Sequence, residues 1–297
     1  MGEFIASRLS LGQAHTAAAR LLREARIAAP ELDARLLLCH ATGLSHEACV
    51  AALNDPFAPD AAARFGAFVE RRLEGEPVSR IIGIREFYGR SFRIDASTLD
   101  PRPDTETLIE AALGFEDRET PLSILDLGTG SGCILVTQQV LEQDHHREGQ
   151  LGDAHEAILL GLGQGVVSVG LAAGGERLAT LKAVQRHRLR VLQNHLLRLH
   201  SAADMAALSP EVRDHDPRPA LDGGPDGLSA YRRIVPSLRK ALRPGGFALF
   251  EIGPGQAQAV LRLLAEVGLE AVERQQLWRD LAGRARVVGA RLRVKAP

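Results

Sequence analysis

The chain has no surplus of either charge: its 36 lysines and arginines face 37 aspartates and glutamates, a formal net charge of −1 over 297 residues. A protein that holds nucleic acid or an anionic membrane by its field needs a basic excess, so those classes are set aside. No apolar run reaches the length that spans a bilayer, and the opening residues lack the basic-then-apolar order of a signal peptide. Cysteine is scarce. Cys39, Cys49 and Cys133 are odd in number and lie among apolar neighbours, which excludes a disulfide framework and reads as reduced core thiols. Asp144, His145 and His146 make no metal site, because adjacent histidines point differently and no second ligand pair has suitable spacing. There is no internal repeat. Reduced thiols point to a cytoplasmic protein, expected as a monomer and of a length for about two domains.

What is present changes texture along the chain. From about Leu9 to Leu73, apolar residues recur at helical spacing, with "ELDARLLLCHATGL" following Pro30 and a helix start at Pro59-Asp60. His40 and His46 lie among these helical residues and read as surface or core histidines. Between Pro77 and Leu99, alternation of Phe87, Gly89, Phe92 and Ile94 with polar residues predicts a β-hairpin. "LDPRPDTETLIEAAL" follows, its prolines forcing extended backbone before a helix that opens near Asp104 or Thr105. Beyond Ser123, strands alternate with helices, and "GGFALFEIGPGQAQAVLRLLAEVGLEAVERQQL" reads strand, loop, helix, strand. A last strand falls in "ARVVGARLRV". The fold class is α/β, a doubly wound sheet with a ligand at the carboxyl ends of its strands.

The stretch "SILDLGTGSGCIL" puts three glycines in five positions after an apolar strand. Gly128, Gly130 and Gly132 let the backbone turn sharply and let a ligand approach where a Cβ would collide. A helix starting near Ser131 would aim free N–H groups and its positive end at that ligand. The dinucleotide fingerprint wants a glycine where Cys133 stands. Glycines also mark ordinary tight turns, but the strand and Asp126 favour a ligand loop.

Asp126 followed by this loop resembles motif I of S-adenosylmethionine-dependent methyltransferases. A wider resemblance, to the HemK/PrmC-type glutamine N5-methyltransferases that modify peptide chain release factors, rests on several strings in family order. They are Phe87-Tyr88-Gly89, the "PRPDTE" of Pro101 to Glu106, "LDLGTGSGCI", "SPEVRDHDPRPALDGGPDGLSAYRRI", "EIGPGQ" at Glu251 and "DLAGRARVV" at Asp280. "PRPDTE" alone would equally be a proline-rich connector with a helix cap. The resemblance implies a Rossmann-like methyltransferase domain over 101–297, an N-terminal helical substrate-recognition domain over 1–76 and a hairpin linker over 77–100. It implies S-adenosylmethionine as cofactor, held by Gly128, Thr129, Gly130, Ser131 and Gly132, and release factors as partners, with nucleic acid met only indirectly.

The segment from 137 to 200 departs from the family. It has no aromatic residue, and the chain nowhere contains the Asn-Pro-Pro-Tyr signature of that family. Where the signature belongs, the chain reads "VLQNHLLRLH", so Asn194 is the sole candidate for the catalytic asparagine. Asp153, about twenty residues beyond the loop, stands near the place of the acidic ribose contact and also reads as an ordinary loop or cap aspartate. "QRHRLRVLQNHLLRLH" reads as the solvated face of an amphipathic helix, with arginine contacts to RNA phosphates the less favoured reading. The function implied is methyl transfer to a release-factor glutamine. A catalytically impaired homologue and a methyltransferase for nucleic-acid amino groups stand as alternatives.

Overall fold

The computed structural model describes residues 9–114, 124–127, 130–146, 166–169, 189–194, 200–271 and 276–294. They fall into two compact units, one of residues up to 85 with 93–96 and 209–215, the other of 86–92, 97–208 and 216 onward.

The first unit is helical: α1 (Leu11–Glu24), α2 (Pro30–Thr42), α3 (His46–Ala51), α4 (Pro59–Leu73) and α5 (Val78–Ile82). Ser10 opens α1 with a capping box, its hydroxyl accepting from the Gln13 amide while the Gln13 side chain accepts from the Ser10 amide. Pro30 and Pro59 start α2 and α4, where their missing N–H costs nothing. Gly43, at φ 72°, ends α2 in the left-handed conformation that a Cβ disfavours. Leu22, Leu37, Leu38, Phe65 and Val69 fill the core. Inside it Arg72 is held by Asp33 at 2.7 Å and by Glu211 at 2.5 Å.

A hairpin of β1 (Ile84–Phe87) and β2 (Arg90–Arg93) carries the chain onward. Its turn residues Tyr88 and Gly89 have φ 52° and 73°, the tight hairpin turn whose twist suits the strands. In the second unit a 3-10 turn (Pro103–Thr105) leads into α6 (Glu106–Leu113), β3 (Ile124–Leu127), α7 (Cys133–His146), β4 (Val166–Val169) and β5 (Leu189–Asn194). After short helices at Ala202–Ala206 and Arg218–Leu221 come α8 (Ser229–Ala241), β6 (Leu242–Glu251), α9 (Ala257–Glu266), β7 (Leu269–Ala271), β8 (Leu277–Arg279) and β9 (Ala285–Leu292).

Among the described residues seven strands make one sheet in the order β4-β3-β5-β6-β9-β7, with β8 also on β9. β4, β3, β5 and β6 are parallel, and β9 runs antiparallel to β6, β7 and β8. Successive strand residues face opposite sides. Leu249 and Val287 meet Leu108 and Ile109 of α6 and Cys133 and Ile134 of α7, while Ala248, Phe250 and Val288 meet Tyr231 and Val235 of α8 and Val260 of α9. Helices on both faces make the sheet doubly wound, as the alternation of elements predicts.

One element reads differently from its sequence. Leu189–Asn194 is strand β5 between β3 and β6, not part of a solvated helix. Short apolar runs fit both periods, and position in the sheet decides between them.

Candidate active site

β3, β5 and β6 end together at one edge, because Leu127 is in register with Asn194 and Asn194 with Phe250. Ligands of open parallel sheets bind beyond such carboxyl ends. The chain leaving β3 reaches Gly130 and Gly132 at φ 53° and 78°, both left-handed, and α7 starts at Cys133. Gly130 is exposed and Ser131 and Gly132 are partly so, which leaves the first turn of α7 approachable by a ligand. Gly128, Thr129 and Asp153 lie outside the described residues. Asn194 is the last residue of β5, beside the strand that feeds the glycine loop.

Behind the loop the interior is charged. Asp126 and Glu251 are fully buried, as is Cys133. Burial pushes the Cys133 thiol up to about 12; a hydrogen bond to Ser131 opposes that rise, and the negative charges of Asp126 and Glu251 add to it. A thiol so placed is a core group and no nucleophile at neutral pH.

Segments distant in sequence meet at Arg102 to Glu106. Arg102 Nη2 donates to the buried Asp216 at 2.5 Å. Asp104 pairs with Arg286 at 2.8 Å. The Thr105 hydroxyl donates to Glu251 Oε2 at 3.0 Å. Glu106 accepts the Tyr88 amide at 2.9 Å and so fixes the hairpin turn, while the Tyr88 hydroxyl donates to Glu110. That bond, with burial helping, lifts the phenol to about 12. Glu251 is held further through its backbone, its carbonyl accepting the Tyr231 hydroxyl at 2.8 Å. Gln256 Oε1 in turn accepts the Gly253 amide at 2.8 Å, closing the loop after β6.

The sequence alone gives Glu251, Arg286 and Asp216 no part in the site. No spacing in the sequence links them: Glu251 accepts the Thr105 hydroxyl and Arg286 pairs with Asp104 only once the chain has folded. Among the described residues no group of three or more histidines, cysteines or carboxylates is placed to hold a metal, and no helix is long and apolar enough to cross a membrane.

A family model described as the PrmC N-terminal domain matches residues 13–83. The release factor glutamine methyltransferase of Cereibacter sphaeroides is 42% identical over 261 residues, 88% of this chain and 90% of its own length. That of Bradyrhizobium diazoefficiens is 39% identical over 95% of each chain. The one from Rhodospirillum rubrum is 40% identical over 98% of this chain and 88% of its own.

Proposed function

We infer that this chain, which belongs to the release factor glutamine methyltransferase family, moves a methyl group from S-adenosylmethionine to the side-chain amide nitrogen of a glutamine in a peptide chain release factor. The strongest single support is the 42% identity to a relative of that name across 88% of the chain. S-adenosylmethionine, when bound, supplies an electrophilic methyl on a positively charged sulfur. Gly130 and Gly132, with the first turn of α7, fit its amino-acid end: the backbone is approachable there and the helix start offers amide donors.

An amide nitrogen is a poor nucleophile, since its lone pair is delocalised into the carbonyl. What the protein contributes is orientation and stabilisation of the positive character that the nitrogen gains. Asn194, at the end of β5 next to the glycine loop, is the residue we assign to accept hydrogen bonds from the substrate NH₂. His195, Leu196 and Leu197 follow it where the family has Pro-Pro-Tyr, so the family's prolines and aromatic ring are absent from these positions. Loss of orientation on the order of 4 kcal/mol slows transfer about a thousandfold. The chain is therefore a slow member of its family in this reading. Asp153 is proposed for the ribose hydroxyls. The helical unit, which the family's N-terminal model matches, is proposed to recognise the release factor.

The test mixes purified chain, release factor and S-adenosylmethionine and examines the release-factor peptides by mass spectrometry. A methylated glutamine that needs both cofactor and enzyme is the expected result. Methyl found on a nucleic acid and on no protein would reject the substrate assignment.

A further inference from the structure

Arg286 is the second residue of β9 and is 2% exposed. A guanidinium so far from water is tolerated only when charge and hydrogen bonds compensate it. Two carboxylates do so. Nε donates to Asp280 at 2.7 Å and Nη2 reaches Asp104 at 2.8 Å, so one planar fork joins two separate loops. Asp280 is itself fixed. Its Oδ1 accepts the Arg284 amide at 2.9 Å, its own amide donates to the Arg284 carbonyl at 2.9 Å, and its carbonyl accepts the Gly283 amide at 2.8 Å. The closed turn between β8 and β9 thereby aims Arg286 at Asp104.

The backbone carries the arrangement to the sheet edge. The Arg286 carbonyl accepts the Ile252 amide at 2.8 Å, one residue past Glu251, which holds Thr105. Asp104 and Thr105 are thus held from two neighbouring strands. They lead directly into α6, whose Leu108 and Ile109 pack with Cys133 and Ile134 in the first turn of α7.

We propose that Arg286 is a positioning residue for the cofactor: its fork fixes Asp104 at the entry to α6, the helix that packs on the first turn of α7, so that S-adenosylmethionine meets a wall already formed. This rests on the methyltransferase reading above. A ligand that must order a loop loses affinity to that ordering, and a preformed wall spares the loss. Lysine cannot replace the arginine here, because one ammonium on a flexible stem does not bridge two carboxylates in a fixed plane.

The experiment titrates S-adenosylmethionine calorimetrically into the full chain, into Arg286→Lys, Asp104→Asn and the double variant, and into Arg232→Met as a control in an exposed ion pair. Arg286→Lys is expected to melt cooperatively and to bind at least tenfold more weakly. Asp104→Asn, on the more exposed partner, is expected to lose severalfold, and the double variant no more than Arg286→Lys alone. That lack of additivity is the mark of one shared contact, which general destabilisation would not produce. Arg232→Met should bind as the parent does. If Arg286→Lys does not fold, Asp104→Asn decides alone. A folded Arg286→Lys or Asp104→Asn with parental affinity overturns the proposal and leaves the methyltransferase reading standing. A parent chain that binds no S-adenosylmethionine overturns both.

Discussion

At Gly130 the φ of 53° and the exposed position set two separate demands on one residue. The left-handed backbone costs a β-branched side chain about 1–2 kcal/mol, and at the proposed site the side chain itself would stand in the cofactor's path. Gly130→Val is therefore expected to fold and to show no S-adenosylmethionine binding by calorimetry. Unchanged affinity would remove the loop from the site. The glycine string was legible because turn chemistry is local: strand, glycines and helix start occupy one short stretch. Asn194 was legible as a residue, but its place at the end of a central strand came from the register with Leu127 and Phe250. Glu251 and Arg286 were not legible as site builders. Their partners Thr105 and Asp104 lie far away in sequence, and no spacing rule connects them.

The elements of the sheet show how tightly β9 is packed between its neighbours. A Cβ on Gly289 would lie 2.8 Å from Leu249 Cδ2 and 2.9 Å from Trp278 Cζ3, closer than carbon atoms approach. The glycine makes room for the indole of β8 against the sheet. Gly289→Ala is expected to destabilise the protein by about 1–3 kcal/mol, the usual cost of overpacking a filled core. A urea titration measures this, and an unmoved midpoint would mean that Trp278 shifts aside freely. The strands around this residue were mostly readable, because "GGFALFEIG" and "ARVVGARLRV" carry long runs with clear turn signals. The β5 segment reads as helix because its run is short and arginines flank it. Three-residue β8 is too short to carry a period at all.

Across the whole chain, the change from helical spacing to strand alternation near Pro77 is visible in the sequence. The grouping of 209–215 with the helical unit is not, since its contacts, the Arg72–Glu211 pair among them, join residues far apart in sequence. If the helical unit recognises the release factor, its exposed apolar side chains carry the contact. Leu32 and Leu36 stand one turn apart on α2, 44% and 41% exposed. Leu32→Asp with Leu36→Asp should weaken release-factor binding at least tenfold in a pull-down titration while S-adenosylmethionine affinity holds. Equal binding by the double variant would move the recognition surface elsewhere. Methylation of a release-factor glutamine by this chain is proposed to be limited by how the amide is oriented. The most direct measurement compares methylglutamine formation by the chain and by its His195→Pro, Leu196→Pro, Leu197→Tyr variant in one mass-spectrometric time course. Methylglutamine is expected from both, with the variant at least tenfold faster; equal rates, or methylglutamine from neither, would refute this.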